Sequence, residues 1–394
     1  MTQAGDFDEG IVRAHALIGQ GRVAQALPLL VQLAALHGAN PEVWFSLGRA
    51  HGMLNQDAEA ETAFRKAVEL LPGSRDAHLN VALSLVYQGK MRDSIPWFLA
   101  ARRIEPLDRS MNDTLMWALL SVLQDAPGTL APAPPQLHPL DRQPLVSVVI
   151  PTKNRPAMLR DALQSVVSQS YGRWEALVVN DGGQDVADVV RSLPADLAPR
   201  VRMLALQSSL GAAGARNRAW RAARGGIIAF LDDDDLYLPG HLDALVSGML
   251  GSGEPFAYTQ STAVEERIVD GRRVEGRRGA LREYRYSRAL LLVRNMIPTA
   301  CWGIRRECFD LFGGFDESLP CAEDWDLLLR YSEKVPFHRV PEVTAEIHVR
   351  TDVADSVTQR TPLRPTCELF YRRYPSRGHE LIELGREIYL ASVA

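Results

Sequence analysis

A spacing of 34 residues runs through the first third of this chain and fixes what that third can become. Trp44, Leu47, Gly48, Ala60, Phe64, Ala67 and Pro72 follow the order W-x2-L-G … A-x3-F … P. A step of 34 forward lands on Ala82, Phe98, Ala101 and Pro106, and a step back lands on Ala14 and Ala26. A unit of this length holds two helices and a turn, and it buries its apolar face only by stacking on its neighbours. Small residues at Gly48 and Ala60 let antiparallel helices touch, while Phe64 and Trp44 fill the gaps. The pattern is best kept over residues 41–74, less well in the next unit and least in the first. Residues 111–123 are expected to form a capping helix.

The period and residue order resemble the tetratricopeptide repeat, which implies an all-α solenoid over residues 1–125. The pattern stops near residue 130. Six prolines lie between residues 126 and 144. Proline fixes φ and removes a donor, so residues 126–143 are expected to form an extended, semi-stiff linker.

Beyond the linker the pattern changes to apolar runs alternating with helical stretches. Leu145–Ile150, Glu175–Val179, Val201–Leu206 and Ile227–Leu231 read as strands. The first is a continuous β-branched run suited to burial on both faces. Asn154 is expected to cap a helix running to about Ser170. Ala212–Ala223 reads as another helix, closed by Gly225 and Gly226. This alternation argues for right-handed βαβ units in a mostly parallel sheet. Ligands then sit at the carboxyl ends of the strands. Three strand ends carry polar clusters: Pro151–Asn154, Asn180–Gly183 and Asp232–Asp235.

Four adjacent carboxylates at Asp232–Asp235 repel one another and raise each other's pKa. A hard divalent cation relieves that repulsion, and Mg²⁺ or Mn²⁺ commonly completes its shell with phosphate oxygens. A nucleoside diphosphate is therefore the natural client. Asp181, followed by Gly182 and Gly183, offers a carboxylate where backbone approaches closely. Glu323 and Asp324 open a helix whose inner face is Trp325, Leu328 and Leu329.

These segments together resemble the family 2 inverting glycosyltransferases of the GT-A fold, over roughly residues 144–350. The likeness rests on VSVVIPTKNR, VVNDGG, GAAGARNRAWRAARGGIIAFLDDDD and GGFDESLPCAEDWDLLLR, in family order. It implies an α/β, Rossmann-like, mostly parallel sheet that binds a nucleotide-diphospho-sugar. It also implies roles. Pro151, Thr152 and Asn154 form the loop around the nucleotide, and Asp181 contacts the base. Arg216 and Asn217 lie near the nucleotide. Asp232, Asp233 and Asp234 overlay the DxD region, with Asp234 the direct metal ligand and Asp232 beside it. Asp324 is the catalytic base and Glu323 its neighbour on the donor. His348, in AEIHVRTDVADSVT, resembles a closing histidine that reaches metal or diphosphate. Lys153 departs from the usual pattern, and residues 351–394 form a helical extension.

Composition closes off other classes. The formal charge is −4, which does not recommend nucleic acid as a partner. The longest clean apolar run, Leu115–Leu120, is far short of the roughly 20 residues of a membrane span. The N-terminus has no apolar stretch of the signal-peptide kind, and the four cysteines show no CxxC pairing, so a cytoplasmic protein with reduced thiols is expected. The arginines between 265 and 294 (Arg267, Arg272, Arg273, Arg277, Arg278, Arg282, Arg285, Arg288, Arg294) flank an Asp270–Gly271 hairpin signal. A solvated hairpin, part-balanced by Glu265, Glu266, Glu275 and Glu283, is favoured there over an acceptor flap. The expected function is metal-dependent sugar transfer from a nucleotide sugar, UDP-linked, to a glycan, lipid-linked or protein acceptor, using Mn²⁺ or Mg²⁺. The repeats then recruit acceptor or a protein partner. The alternative is an interaction scaffold whose transferase fold only senses a sugar nucleotide; retention of Asp181, Asp234 and Asp324 weighs against it.

Overall fold

The computed structural model describes residues 3–125, 132–269, 272–280, 285–350 and 362–393. The chain forms two compact units, Met1–Leu123 and Gln124–Ala394. The first contains helices α1 (Gln3–Gly19), α2 (Val23–Leu36), α3 (Pro41–Met53), α4 (Asp57–Leu70), α5 (Arg75–Tyr87), α6 (Met91–Ile104) and α7 (Arg109–Gln124), whose last residue falls in the second unit. The starts at 23, 57 and 91, and at 41, 75 and 109, keep the 34-residue step. Helix entry obeys it too. Asn40, Ser74 and Asp108 each accept a backbone N–H of the helix that follows, from Glu42 (2.9 Å), Ala77 (3.2 Å) and Met111 (2.9 Å). The close approach between α3 and α4 is where the sequence puts it: a Cβ on Gly48 would lie 2.7 Å from the Phe64 ring. The capping helix α7 starts two residues earlier than expected and buries Leu115, Leu119 and Leu123.

The second unit is built on a nine-stranded sheet. Its strands are β1 (Val146–Thr152), β2 (Trp174–Asn180), β3 (Val201–Ala205), β4 (Ile227–Phe230), β5 (Leu236–Tyr237), β6 (Phe256–Val269), β7 (Arg272–Ala280), β8 (Trp302–Arg305) and β9 (Phe337–Arg350). The order is β3-β2-β1-β4-β8-β6-β9-β5, with β7 on β6. The first four strands are parallel, with Val146 opposite both Trp174 and Ile227. Helices α8 (Pro156–Val167), α9 (Ala187–Arg191) and α10 (Gly211–Ala222) lie between them in sequence. The other half is mixed: β8 is antiparallel to β4 and β6, and β6 is parallel to β9. Helices α11 (His241–Ser252), α12 (Arg288–Leu291), α13 (Arg306–Phe312) and α14 (Glu323–Tyr331) follow β5, β7, β8 and α13. Two C-terminal helices, Leu363–Arg373 and Glu380–Ser392, complete the unit.

Three local expectations change. Asn154 does not cap α8. It sits at φ 60° and its Oδ1 accepts the Gln184 N–H at 2.8 Å, so its short polar side chain stabilises a left-handed turn instead. Helix α8 begins at Pro156, which needs no N–H partner, and ends at Val167 rather than near Ser170. Helix α10 ends at Ala222, before the glycine pair; a Cβ on Gly225 would lie 2.6 Å from the Leu145 carbonyl oxygen, so this glycine serves close packing on β1. The Asp270–Gly271 turn lies outside the described residues, but β6 and β7 pair antiparallel on either side, Val269 opposite Arg272. Residues 126–131 of the expected linker also lie outside. From 132 to 145 the chain has no helix or strand, and His138 bonds Glu307 while Pro144 accepts the Tyr171 hydroxyl at 2.6 Å.

Candidate active site

Strand β1 and strand β4 are hydrogen-bonded neighbours, so their carboxyl ends deliver Thr152 and the aspartates to one place. Thr152 Oγ1 donates to Asp233 Oδ2 at 2.7 Å. Arg155 Nη1 donates to Asp233 Oδ1 (3.1 Å) and Asp234 Oδ2 (2.9 Å). Arg350, near the end of β9, brings a second guanidinium within 3.5 Å of Asp234 Oδ2. Burial, then the Asp234 charge, pushes the Asp233 carboxyl up to about 6, against the pull of Arg155. Burial and the Asp232 charge likewise raise Asp234.

Asp181 follows directly on β2 and is bonded within the chain. Its Oδ2 accepts the Ser209 hydroxyl (2.5 Å) and the Gly211 N–H (3.1 Å), and its Oδ1 the Leu210 N–H (2.6 Å). It therefore anchors the loop entering α10. Gly182 is required here twice: φ is +68° and a Cβ would meet the Ser209 nitrogen at 2.7 Å. The backbone that approaches this turn is the protein's own.

Arg216 on α10 joins two motifs distant in sequence. It is buried, donates to Asp232 Oδ1 at 2.5 Å, and bonds Glu323. Burial would lower its pKa, but Asp232 and Glu323 overcome that and hold it above its ordinary value. One turn of α10 is thus bridged to both the strand-end aspartates and the start of α14. Asn217 points elsewhere: its Nδ2 donates to the Phe315 carbonyl (2.9 Å) and Glu317 (2.7 Å), and its Oδ1 accepts the Phe315 N–H. This fastens α10 to the loop before α14. Pro151 lies half-buried in β1.

Asp324 occupies the first turn of α14. Its Oδ2 accepts from Asn295 Nδ2 (2.8 Å) and Thr299 Oγ1 (3.2 Å), while Oδ1 accepts the Trp325 N–H (2.8 Å). Burial and the Glu323 charge push its carboxyl up to about 6, against the opposing charge of Arg216. The inner face of α14 is the expected one, with Trp325, Leu328 and Leu329 buried. Asp326, fully buried behind it, accepts from Arg330 (2.8 Å), Arg373 (2.8 Å) and the Tyr374 hydroxyl (2.6 Å). That network ties the helix carrying Asp324 to the first C-terminal helix.

His348 is buried in β9. Its Nδ1 is 3.0 Å from Glu266 Oε2, its backbone N–H donates to Asp235 (2.9 Å), and its Nε2 makes no hydrogen bond among the described residues. Glu266 also accepts from Arg350 (3.2 Å), so His348 reaches Asp234 only through a chain of charges. A hard cation suits Asp232 and Asp234, two carboxylates at a sheet edge, where burial and then the Asp232 charge raise Asp234. Yet among the described residues no three His, Cys, Asp or Glu side chains converge to hold a metal. Asp232, Asp234 and His348 are not assembled as a complete ligand set, and a bound ligand's oxygens would have to complete the shell.

Sequence reasoning missed Arg155, Arg350, Glu266, Asn295 and Thr299. Arg155 and Arg350 stand inside the quoted motifs. Asn295 carried only a faint signal, a polar residue after Arg294 in the otherwise apolar LLVRNMIP.

The strand-end aspartates, held by Thr152, Arg155 and Arg216, are joined through Arg216 and Glu323 to the start of the helix that carries Asp324. Residues 147–312 match the family model described as Glycosyl transferase family 2, and residues 11–75 and 54–109 match Tetratricopeptide repeat models. WcaA of Escherichia coli (strain K12), provisionally named a colanic acid biosynthesis glycosyl transferase, is 30% identical over 220 residues, 53% of this chain and 74% of WcaA. WfgD of Escherichia coli, named UDP-Glc:alpha-D-GlcNAc-diphosphoundecaprenol beta-1,3-glucosyltransferase, is 34% identical over 129 residues; the match spans 32% of this chain and half of WfgD. Among solved structures, the mannosyltransferase PcManGT of Pyrobaculum calidifontis, in complex with GDP-Man and Mn²⁺, aligns with a TM-score of 0.49 and 17% identity, over 76% of this chain and 82% of that one. The chain belongs to glycosyl transferase family 2, with tetratricopeptide repeats ahead of the transferase unit.

Proposed function

We propose that this chain is an inverting, divalent-metal-dependent glycosyltransferase that moves a sugar from a UDP-sugar to an acceptor hydroxyl, with Asp324 as general base. The observation that carries this reading is the Asp324 carboxylate. It is half-buried, raised to about 6, oriented by three donors, and linked through Glu323 and Arg216 to Asp232. A base works best with a pKa near the operating pH, which suits a carboxyl raised to about 6. The acceptor O–H proton passes to an Asp324 oxygen as its oxygen attacks the anomeric carbon. The bond to the diphosphate then breaks, and negative charge collects on the departing phosphate. Asp234 and Asp232, with His348 as a further candidate, would hold Mn²⁺ or Mg²⁺, which supplies Lewis-acid stabilisation of that charge. Pro151, Thr152 and Asn154 line the nucleotide side, with Arg216, Asp233 and Glu323 shaping the floor, while Asp181 and Asn217 hold α10 in position beside them.

The UDP assignment draws support from WfgD, whose name specifies UDP-Glc. The repeats recruit the acceptor, a glycan, lipid-linked sugar or protein, or a protein partner. The four cysteines are unpaired and buried, which supports a cytoplasmic setting. No described helix is long and apolar enough to cross a membrane.

Calorimetry of UDP with and without Mn²⁺ tests the donor side. Wild type is expected to bind UDP at least tenfold more tightly with Mn²⁺, and Asp234→Ala to lose that gain. Equal affinity in both conditions for wild type would remove the metal from the reaction. Hydrolysis of UDP-sugars by wild type separates an enzyme from a nucleotide-sugar sensor.

A further inference from the structure

The segment between α12 and Pro298 is held by the C-terminal helices. The Tyr371 hydroxyl donates to the Val293 carbonyl at 2.6 Å, and Arg386 Nε to the Leu292 carbonyl at 2.7 Å. A Cβ on Gly385 would lie 3.0 Å from Val293, so helix and segment are in tight contact. Asn295 of this clamped segment reaches the site, and Arg294 precedes it. Asn295 donates to Asp324. Arg294 lays its guanidinium over the Tyr389 ring, 5.2 Å from the centroid.

Arg294 differs from Arg278 and Arg288. Arg278 is bound by Glu275 and Glu346, both at 2.7 Å, and Arg288 by Glu333 and Ser332, both at 2.5 Å. Among the described residues Arg294 makes no side-chain hydrogen bond or ion pair, and its Nε is buried without a partner. A guanidinium half withdrawn from water with no anion is unfavourable unless something else supplies the acceptor oxygens. Tyr389 marks where that would be. Its ring packs edge-on against Trp325, the residue after Asp324, with centroids 6.3 Å apart. Burial raises its hydroxyl, against the opposing charge of Arg294. Arg216 is already committed to Asp232 and Glu323. Arg294, by contrast, has no such partner among the described residues.

We propose that Arg294, with the Tyr389 hydroxyl beside it, binds an anionic oxygen group of the acceptor, a phosphate or a carboxylate, next to the hydroxyl that Asp324 deprotonates. The planar guanidinium fork suits such a group bidentately. The cation also offsets the repulsion that the Asp324 carboxylate would exert on an anionic acceptor. The C-terminal helices thereby belong to the acceptor site, as the clamp on Arg294 and the source of Tyr389. This inference rests on Asp324 being the acceptor-side base.

The test uses the full chain with saturating UDP and Mn²⁺ and three probes followed by saturation-transfer NMR: methyl N-acetylglucosaminide, a methyl diphosphate ester of N-acetylglucosamine, and methyl glucuronide. One anionic probe is expected to bind roughly ten- to a hundredfold more tightly than the neutral one, the scale of a hydrogen-bonded charge pair. Which of the two does so identifies phosphate or carboxylate. Arg294→Gln should abolish the preference, Arg294→Lys should keep part of it, and Tyr389→Phe should reduce it a few-fold. UDP affinity should stay at the wild-type value in all three variants. No preference for either anion in wild type, or a preference that survives in Arg294→Gln, overturns the proposal. Failure of UDP to bind with Mn²⁺ would count against the donor reading alone, since the Arg294→Gln comparison can be run without UDP.

Discussion

The two units of this chain treat charge in opposite ways. In the repeat unit no described Asp, Glu, Lys or Arg is buried; pairs such as Arg65–Glu61 and Lys66–Glu69 lie on helix surfaces. Its core is alanine, leucine, valine and phenylalanine, with Gly48 against Phe64 setting the helix spacing. The transferase unit buries Glu175, Asp181, Arg216, Asp233, Asp235, Glu266, Glu323, Asp326, Glu346, Arg350 and Arg386. Withdrawing a charge from water costs several kcal/mol, and a buried pair is weak evidence for stability. Stacked helices fold without such groups. Their concentration at the strand ends and around α14 is what a site for charge-developing chemistry requires, and it comes at the expense of the fold.

The largest effect separates function from folding at one atom. Asp324→Asn keeps the shape of the side chain but accepts no proton at neutral pH. If this carboxylate is the base, kcat should fall by about 10²-fold or more, while the KM for donor stays near wild type. Steady-state kinetics with both substrates saturating decide it. A kcat within threefold of wild type would leave Asp324 as a first-turn helix carboxylate, worth under about 1 kcal/mol of dipole stabilisation.

The next effect is on pH. With Asp324 raised to about 6, kcat/KM should fall about tenfold per unit below that point, because only the ionised form accepts the proton. Asp233 is raised to the same region, so the split between constants assigns the limb. Protonating Asp324 lowers kcat, whereas protonating Asp233 acts on donor KM. Stability should move the other way. The folded-state pKa lies above the usual value of about 3.9, so the native state binds more protons between roughly pH 4 and 6. The contribution of Asp324 to stability therefore improves as pH falls through 6, and Asp324→Asn should lose that slope in urea titrations. A wild-type kcat flat from pH 7 to 5 would contradict the raised base.

The same contrast explains what was legible in the sequence. A repeat is a local signal written several times, so Gly48, Ala60 and Phe64 located the helix contacts, and the caps at Asn40, Ser74 and Asp108 were open to the same arithmetic. Strands β1, β2, β3 and β4 were legible because apolar runs ended in polar clusters. The mixed half of the sheet was not: β6 and β9 run 14 residues each with exposed and buried positions intermixed, and β6 pairs β9 in parallel across about 80 residues of chain. The motifs named the carboxylates but not what holds them. Arg155 meets Asp234 across 79 positions and Asn295 meets Asp324 across 29, and no local pattern encodes such partners. Asp181 shows the limit from the other side, since its motif was visible but its bonds to Ser209, Leu210 and Gly211 were not.

The smallest effect tests the unit without buried charge, where packing alone should decide. Gly48 and Gly52 both lie on α3. Alanine gains up to about 1 kcal/mol over glycine inside a helix, from backbone entropy. At Gly52 nothing lies within 4 Å of the added Cβ, so Gly52→Ala should stabilise by roughly that amount or less. At Gly48 the Cβ would stand 2.7 Å from two atoms of the Phe64 ring and 2.9 Å from a third. That ring is 3% exposed and has little room to turn. Overpacking of this kind costs about 1–3 kcal/mol, which outweighs the propensity gain. Gly48→Ala should therefore be less stable than Gly52→Ala by about 1–3 kcal/mol in urea unfolding followed by far-UV circular dichroism. Neither change should move the affinity for UDP with Mn²⁺, because no group of the transferase unit is altered. Equal stability of the two variants would mean that Phe64 yields freely, and that the close approach of α3 and α4 is not what sets the repeat's geometry.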